Sequence, residues 1–472
     1  MSRSVDHAYA SPQISDVADP TAPPEGPATG VRYRIVGLTV MMAVILYLDR
    51  FALTPITATI INDLKLDPES FGSSGFAFFC MYALFQVPAG WLADRFGARR
   101  MLAVYVIAWS IATMALGLVN GLLGLFVLRG LLGAAQAGAY PAAGSYLKRW
   151  TNLAARAKAN SLVAAGGRVG GLISLFLTAV LALQLQRQFG FAQGWRGALL
   201  IYGGLGLVWT VVFWWYFRDQ PSEHAGCNGS EQALIGRDPP GPKVVPLPIV
   251  QLLLHPNVWI LSVSGILVNC GWIFLLSWLT KYILDTFPTQ LQALVPANAS
   301  ETEVAQIKEV FASWMTALPA CFAIMGGVVG GIAADGLLRR FGPIWGRRVP
   351  GLVAGLVSGL AYVACHFVDN LWAFLALAAL ISFGIDFGLG ALWATYQDFG
   401  GRHVGSVLGF ANMWGNLGAA VCIWYYGRLA KLDQWPLVFT ISAVALFLMS
   451  ASWLLVDPTN MLDKDEKRPQ PN

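Results

Sequence analysis

Residues 90–100 read Gly90-Trp-Leu-Ala-Asp94-Arg95-Phe-Gly97-Ala-Arg99-Arg100, a short charged segment between two long apolar runs. Its glycines allow two helices to approach closely. We expect Asp94 to accept hydrogen bonds from the exposed amides at the start of the next helix. The segment therefore predicts a tight helix-to-helix connection that carries Arg95 and Arg99 in its loop.

A weaker copy of this segment lies in the second half of the chain. It reads Gly331-Ile-Ala-Ala-Asp335 and is followed by the basic residues Arg339, Arg340, Arg347 and Arg348. A basic loop that merely obeys the charge rule for membrane proteins is the alternative. Two copies at matching places indicate an internal structural repeat.

Composition places the chain in a membrane. Apolar residues make up 56% of its 472 residues and charged residues only 12%, which is far from the balance of soluble domains. The net charge of +5 is modest and is concentrated in short loops, so it argues for membrane topology rather than a nucleic-acid surface. We expect the lipid bilayer as a partner and no nucleic acid.

The apolar runs predict twelve membrane spans, each long enough to cross a hydrocarbon core of about 30 Å. They cover 35–58, 73–93, 101–119, 121–147, 157–185, 196–217, 256–286, 310–337, 349–368, 371–397, 403–429 and 435–456. We divide the chain into a disordered tail (1–30), a first six-helix bundle (31–217), a central loop (218–250), a second six-helix bundle (251–456) and a C-terminal tail (457–472). The predicted fold is an all-α membrane protein with a site between its halves.

Segment 90–100 resembles the G-x-L-a-D-R-x-G-r-r/k signature of the major facilitator superfamily. Further segments resemble one branch of it, the anion:cation symporters, which include hexuronate, galactonate and glucarate carriers and the sialin and vesicular glutamate group. The matching segments begin at Tyr47-Leu-Asp49-Arg50, Tyr82-Ala-Leu-Phe-Gln86, Arg129-Gly-Leu-Leu-Gly133, Ser277-Trp278-Leu279 and Asn412-Met-Trp-Gly415-Asn416. This resemblance implies the major facilitator fold and transport of an organic anion, and it makes Tyr82 a candidate substrate-binding residue.

The basic residues predict the orientation of the chain, because short cytoplasmic loops carry an excess of Lys and Arg. Arg95, Lys148, Arg156 and Arg339 all fall in loops on one predicted side. We expect that side to be the cytoplasm, with both termini there. The expected location is the cell membrane, which is the inner membrane if the source is a Gram-negative-type bacterium.

Arg50 is the leading substrate-binding candidate. Together with Tyr47, Thr54 and Thr57 it forms one polar stripe at helical spacing. An Arg at mid-span that faced lipid would cost on the order of 2.5–3.5 kcal/mol, so we expect Arg50 to face an interior cavity and to grip a carboxylate in bidentate fashion. A buried ion pair to Asp49 or to another helix, without substrate contact, is the alternative.

Asp49 is a candidate proton-binding residue. It is rotated by about 100° from Arg50 and is flanked on its own face by Leu46, Leu53 and Ile56, where a charged carboxylate without a partner is costly. We expect Arg129 to be its partner, in a pair that opens during transport. A permanent pair that only ties two helices together is the alternative.

Two positions depart from the pattern of the branch. The acid expected seven residues after Arg129 is Gln136, which cannot carry a proton and which we expect to bind substrate hydroxyls. Arg168 adds a positive charge where galactonate-type carriers tend to have a neutral polar residue. At roughly 16 Å into its span, Arg168 either binds the substrate or pairs with Asp386, and both possibilities are open.

Asn412 and Asn416 lie four residues apart on one helix face, where their amides could bind sugar hydroxyls. Amides that tie helices together are the alternative.

The six cysteines are scattered singly without metal-ligand spacing, so we expect no metal and no cofactor. No catalytic residues are expected, because no nucleophile, base or metal motif falls in a span. We therefore expect a monomeric carrier and not an enzyme. The expected function is secondary active transport of a small organic anion, a sugar acid (hexuronate, aldonate or aldarate), coupled to protons. A uniporter, an exchanger and a non-transporting receptor are the alternatives.

Overall fold

The computed structural model describes residues 26–66, 68–189, 193–236, 249–296, 304, 307–308, 311–312 and 314–462, and in these ranges the regular structure is helical. Eleven helices are long and apolar enough to cross a membrane. They are α1 (Val31–Ile56), α2 (Ser73–Phe96), α3 (Ala98–Leu116), α4 (Leu122–Trp150), α5 (Leu153–Arg187), α6 (Gly194–Tyr216), α7 (Pro256–Thr286), a long segment (Ala317–Phe367), α10 (Leu371–Phe399), α11 (Gly401–Lys431) and α12 (Trp435–Leu455). The all-helical prediction is confirmed.

The long segment holds two of the twelve predicted spans. At about 1.5 Å per residue a straight helix of its 51 residues would be more than twice as long as a hydrocarbon core is thick. The helix breaks at Gly342, whose φ of 78° and ψ of 178° are accessible to glycine. Beyond the break the chain turns back on itself, as the close packing of Gly346 against Leu338 shows. We name the two arms α8 (317–341) and α9 (343–367), and the predicted loop between them is only this turn.

Each half of the molecule has its own apolar core. In the first half the core includes Trp109 and Tyr202, and in the second it includes Phe274, Tyr362 and Phe439. Dispersion and shape complementarity hold such bundles together in lipid, where exposed surfaces stay apolar. The halves meet where α2 packs on α11, and where α5 packs on the arms α8 and α9 and on α10.

One end of the molecule carries the basic loops, and we call it the basic end. It comprises the connections α2–α3, α4–α5, α8–α9 and α10–α11. The described chain ends lie there too, since Arg348 donates to the Val456 carbonyl at 2.7 Å. Residues 1–25, 237–248 and 463–472 of the predicted tails and central loop lie outside the described residues.

The described part of the central loop is anchored to the start of α1. A short helix, Gly229–Ile235, presents Glu231, whose carboxylate accepts hydrogen bonds from the backbone amides of Val31 and Arg32, each at 2.9 Å. These are two of the amides that a helix start leaves without an internal partner. Glu231 therefore caps α1 from a distance of 200 residues along the chain.

Candidate functional site

The two halves approach each other closely where α2 crosses α11. A Cβ atom on Gly90 would lie 2.1 Å from the Gly405 carbonyl oxygen, so only glycine fits. Beside this crossing Asp94 accepts hydrogen bonds from the Gly405 amide at 2.9 Å and from the Ser406 amide at 2.7 Å. Its carboxylate thus caps the start of α11, a helix of the opposite half.

This arrangement corrects the prediction that Asp94 caps the next helix in sequence. The start of α3, which follows Gly97, is capped instead by Asp219, which accepts from the Arg99 amide at 3.0 Å. The Arg99 guanidinium donates to the Trp214 carbonyl, and Arg95 lies over the Trp91 ring at 5.1 Å. Of the charged groups in this segment, Asp94 is the one that joins the two halves.

The second copy of the segment acts symmetrically. Asp335 accepts hydrogen bonds from the backbone amides of Ala157 at 3.2 Å and Lys158 at 2.9 Å, and so caps the start of α5. Next to it, Asp398 pairs with Arg156 at 2.9 Å and with Arg347 at 2.7 Å. Both helix caps cross between the halves, so the basic end is closed in this conformation.

Among the described residues, the hydrogen bonds between the halves lie at the basic end, with one at greater depth. That one is the ion pair of Arg168 and Asp386. Arg168 lies about 15 residues into α5 and hence roughly 22 Å from the beginning of that helix. The halves are therefore held together between the basic end and this pair. The part of the interior beyond the pair lies toward the opposite end of the molecule.

Arg50 lies inside the first half against a wall of aromatic rings. Its guanidinium is 4.6 Å from the Tyr82 ring centroid and 4.9 Å from that of Tyr47. Nε donates to the Gln136 side-chain oxygen at 3.0 Å, whereas Nη2 is buried without a hydrogen-bond partner. A buried guanidinium with an unused donor has the chemistry to bind an anion.

Arg129 is a second cation next to Arg50. Both guanidinium groups lie near the Phe78 ring, that of Arg50 at 5.4 Å and that of Arg129 at 5.2 Å from its centroid. Nε and Nη1 of Arg129 are also buried without a partner. Two like charges this close favour the binding of an anion between or beside them.

The predicted pair of Asp49 with Arg129 is not formed, and this is a correction. Asp49 is only 2% exposed, and both of its carboxylate oxygens lack a hydrogen-bond partner. The alternative pairing of Asp49 with Arg50 is not formed either, because Arg50 points toward Gln136 on the other side of α1. The rotation between neighbouring helix positions separates the two side chains.

Gln136 has a different role in this conformation from the one predicted. Its side-chain nitrogen donates to the Leu46 carbonyl at 3.2 Å, while its oxygen accepts from Arg50. Both ends of the amide are used within the protein. Gln136 therefore orients Arg50 and ties α4 to α1, and neither end is free for a substrate hydroxyl.

Arg168 pairs with Asp386 in the structure, which is one of the two predicted possibilities. Nε donates to one carboxylate oxygen at 3.0 Å and Nη2 to the other at 2.9 Å. The guanidinium also stacks on the Trp272 ring, 3.8 Å from its centroid. A planar fork held at both oxygens is the strong geometry for such a pair.

Asn416 donates to the Asn412 carbonyl of its own helix at 2.8 Å. Both side chains are half-buried. The two amides share a face of α11 as predicted.

Aromatic rings connect the two halves next to Arg50. The Tyr47 and Tyr140 rings lie 6.4 Å apart, and Tyr140 meets Trp393 of the other half edge-on at 4.7 Å. Helical spacing puts Tyr140 on the same face as Gln136, which lies four residues before it. No pattern in one sequence places Trp393 opposite Tyr140, so the sequence reasoning missed this contact.

Metal chemistry has no support in the described ranges, which hold no group of three or more His, Cys, Asp and Glu side chains suited to an ion.

Comparison with known proteins agrees with this architecture. The sequence profile of the Major Facilitator Superfamily matches residues 39–422. The chain is 25% identical to a probable sulfoacetate transporter of Cupriavidus necator, over 93% of this chain and 96% of that protein. It is 28% identical to a probable galactarate/D-glucarate transporter of Escherichia coli, over 83% of this chain and 86% of that protein.

The crystal structure of the fucose:proton symporter of E. coli has the same fold. Its TM-score with this chain is 0.63 at 10% identity, and the match covers 90% of this chain and 98% of the other. The profile match extends over most of the chain, and the twelve-helix arrangement agrees with the solved structure. This protein belongs to the Major Facilitator Superfamily of membrane transporters.

Proposed function

We propose that the protein is a secondary active transporter of a small organic anion, a sugar acid, that works by alternating access. The observation that carries this proposal is the pair of arginines around Phe78. Arg50 and Arg129 together leave three guanidinium nitrogens buried and without partners. A carboxylate bound there would accept from these donors and compensate both charges.

Two negative charges on the substrate fit the interior better than one. Gln136 is neutral where an acid was expected, and Arg168 would supply a further cation to a substrate group that takes the place of Asp386 on its guanidinium. One extra fixed charge at 4–6 Å is worth roughly 3–4 kcal/mol against a unit anion at an effective dielectric near 20, before desolvation and salt are discounted. The two relatives are named for sulfoacetate and for galactarate and D-glucarate, all of which carry two acidic groups. We therefore propose an aldarate-like dianion as the preferred substrate.

The substrate's hydroxyls would meet the polar and aromatic side chains around the arginines. Tyr47 and Tyr82 border Arg50, and Asn412 and Asn416 present amides from α11. Tyrosine rings and amides suit the ring faces and hydroxyl groups of a sugar acid. These four side chains complete the proposed substrate site with Arg50, Arg129 and Arg168, and Gln136 supports it by orienting Arg50.

Coupling to protons is proposed to involve Asp49. A carboxylate this buried and without a partner is costly in its charged form, so Asp49 carries a proton in this conformation. Release of this proton on the other side of the membrane requires a cation to approach Asp49. Arg129 on the neighbouring α4 is the proposed cation. With Gln136 in place of the expected acid, Asp49 is proposed to serve without a carboxylate on α4.

We propose that the basic end faces the cytoplasm of a cell membrane, as its concentration of Arg and Lys requires. Both termini would then be cytoplasmic. The closed basic end corresponds to a conformation open to the outside. A single copy of the chain contains the whole proposed site, so we propose a monomer as the working unit.

Transport by the purified protein in liposomes tests the proposal. Counterflow of labelled glucarate should be saturable and inhibited more strongly by glucarate than by gluconate, its monoanionic counterpart. The advantage of glucarate should shrink in Arg168→Gln and in Gln136→Glu, and shrink further in the double variant. Lys281→Gln, which removes an exposed cation paired with Asp285, is the matched control and should leave it unchanged.

Four results would contradict parts of this proposal. Equal inhibition by glucarate and gluconate would end the dianion preference, and preference for the neutral sugar would end the substrate class. Ligand binding without any flux would identify a receptor. Flux that ignores a pH gradient would identify a uniporter or an exchanger.

A further inference from the structure

The Arg168–Asp386 pair is placed where it can respond to a substrate. It joins α5 of one half to α10 of the other and is the deepest of the described ion pairs between the halves. The Arg168 side chain is 18% exposed, whereas that of Asp386 is 4% exposed. The Arg168 side chain is thus partly accessible, and the carboxylate that it binds is not.

Asp386 occupies the position on Arg168 that an anionic group of a ligand would take. Both of its oxygens accept from the guanidinium, at 3.0 and 2.9 Å. A carboxylate or sulfonate of a substrate needs the same two donors for a bidentate contact. The two acids therefore compete for one cation.

Arg50 and Arg168 both lie near the same aromatic pair, Tyr47 and Tyr140. The Arg50 guanidinium lies over Tyr47 at 4.9 Å. On α5, Gly167 precedes Arg168 in the chain, and a Cβ there would lie 2.9 Å from both the Tyr47 ring and the Tyr140 hydroxyl. A dianion that binds Arg50 with one end is therefore directed toward Arg168 with the other.

A displaced Asp386 would be left without compensation. From α8 the residue facing it is Gly327, and on α9 the Ser358 hydroxyl is already donating to the Ile381 carbonyl at 3.0 Å. From α7 the nearest group in this cluster is Trp272, which covers Arg168. Within the described residues the charged group against Asp386 is Arg168, and a buried carboxylate that loses its cation is strongly disfavoured unless it gains a proton.

We propose that Asp386 is a second proton-binding acid, which takes up a proton only when the second anionic group of a dianionic substrate displaces it from Arg168. The contact between Arg168 and Asp386 breaks, one between Arg168 and the substrate forms, and a proton from water moves to the carboxylate. The added negative charge and the added proton cancel. A dianion is then carried with more protons than the matching monoanion. This inference rests on the proposed function.

The number of coupled protons tests this directly. Purified protein in liposomes is held at a known membrane potential, and the pH gradient that just balances a given substrate gradient is measured for glucarate and for gluconate. The wild type should move about one proton more with glucarate, as proton linkage to a single acid requires. In Asp386→Asn the glucarate count should fall by about one, to the value for gluconate.

Asp386→Asn leaves Arg168 without its counter-charge and can fail to fold, so Arg168→Gln combined with Asp386→Asn is measured beside it. The double variant removes both charges and should also lack the additional proton. Asp285→Asn is the matched control, because it removes an ion-paired carboxylate that is 33% exposed at a distance from the interface. It should keep the difference between the two acids.

Equal proton counts for glucarate and gluconate in the wild type would overturn the inference and leave the proposed function standing. A difference that persists in both Asp386 variants would overturn it as well. Uptake of neither acid would instead overturn the proposed function, and the inference with it.

Discussion

Replacing Asp94 by asparagine should open the basic end. Oδ1 accepts from the Ser145 hydroxyl at 2.7 Å and from the Gly405 amide at 2.9 Å. Oδ2 accepts from the amide and the hydroxyl of Ser406 at 2.7 and 2.9 Å. An asparagine side chain has one accepting oxygen, so Asp94→Asn loses two of these hydrogen bonds and the negative charge.

The size of the effect follows from these contacts. Hydrogen bonds to a charged group contribute about 1.5–3 kcal/mol each, and a charge at a helix start contributes about 0.3–1 kcal/mol. The serine hydroxyls can find other partners, so we expect a net loss of about 3 kcal/mol from the closed conformation. Such a loss shifts the ratio of closed to open molecules on the order of 100-fold.

Hydrogen exchange of the purified protein measures this shift, because the amides of Gly405 and Ser406 are themselves the donors. If exchange of these amides requires the basic end to open, they should exchange at least ten times faster in Asp94→Asn than in the wild type. The Ala157 and Lys158 amides, capped by Asp335 in the same interface, should accelerate too. Exchange at the α11 start that equals the wild-type rate would refute the reasoning.

Asp219→Asn is the matched control. It removes a cap at the start of α3, where Asp219 accepts from the Arg99 amide, but neither group belongs to the second half. Exchange should increase at the start of α3 and remain unchanged at the start of α11. Acceleration at both places would mean that loss of any cap loosens the whole molecule.

Three further changes have defined outcomes. Arg50→Lys should weaken substrate binding at least tenfold in counterflow, because a point charge replaces a planar fork, and wild-type affinity would remove Arg50 from the site. Asp49→Asn should abolish uphill accumulation yet keep counterflow, and loss of both would indicate a structural role. Glu231→Gln should lower the melting temperature by an amount that corresponds to about 1–2 kcal/mol. Burial opposes the charge of Glu231, but hydrogen bonds from Thr29, Arg32 and Val31 and the Arg32 charge lower its pKa overall. Its contribution is thus present above the unfolded-state pKa and is lost as the pH falls through the lower folded value, so melting curves of wild type and variant should converge in acid, and a gap that persists there would contradict this origin.

Helix number and position were predictable, because they follow from local composition. A run of about 20 apolar residues has few alternatives in a bilayer, and α7 begins and ends where the sequence predicted. The turn at Gly342 was harder to place, since basic residues and glycine on both sides permit either a loop or continued helix. Only packing of Gly346 on Leu338 fixes the reversal.

Candidate side chains were predictable from helical spacing, whereas their partners were not. Periodicity placed Arg50 and Tyr47 on one face, and the structure brings them together. The same reasoning paired Asp49 with Arg129 and assigned Asp94 to the next helix, and both assignments were wrong. Spacing along one helix does not say which other helix lies opposite, so a partner in a distant segment cannot be read from it.

The sequence by itself determined that this chain crosses a membrane in two repeated halves with arginines at mid-span, because burial in lipid imposes those patterns residue by residue. The tertiary structure alone decided that Arg168 is paired with Asp386, that Gln136 supports Arg50, and that Asp94 closes the interface by capping a helix more than 300 residues away. Each of these contacts joins helices that are distant in the sequence, and their placement is set by the packing of whole helices.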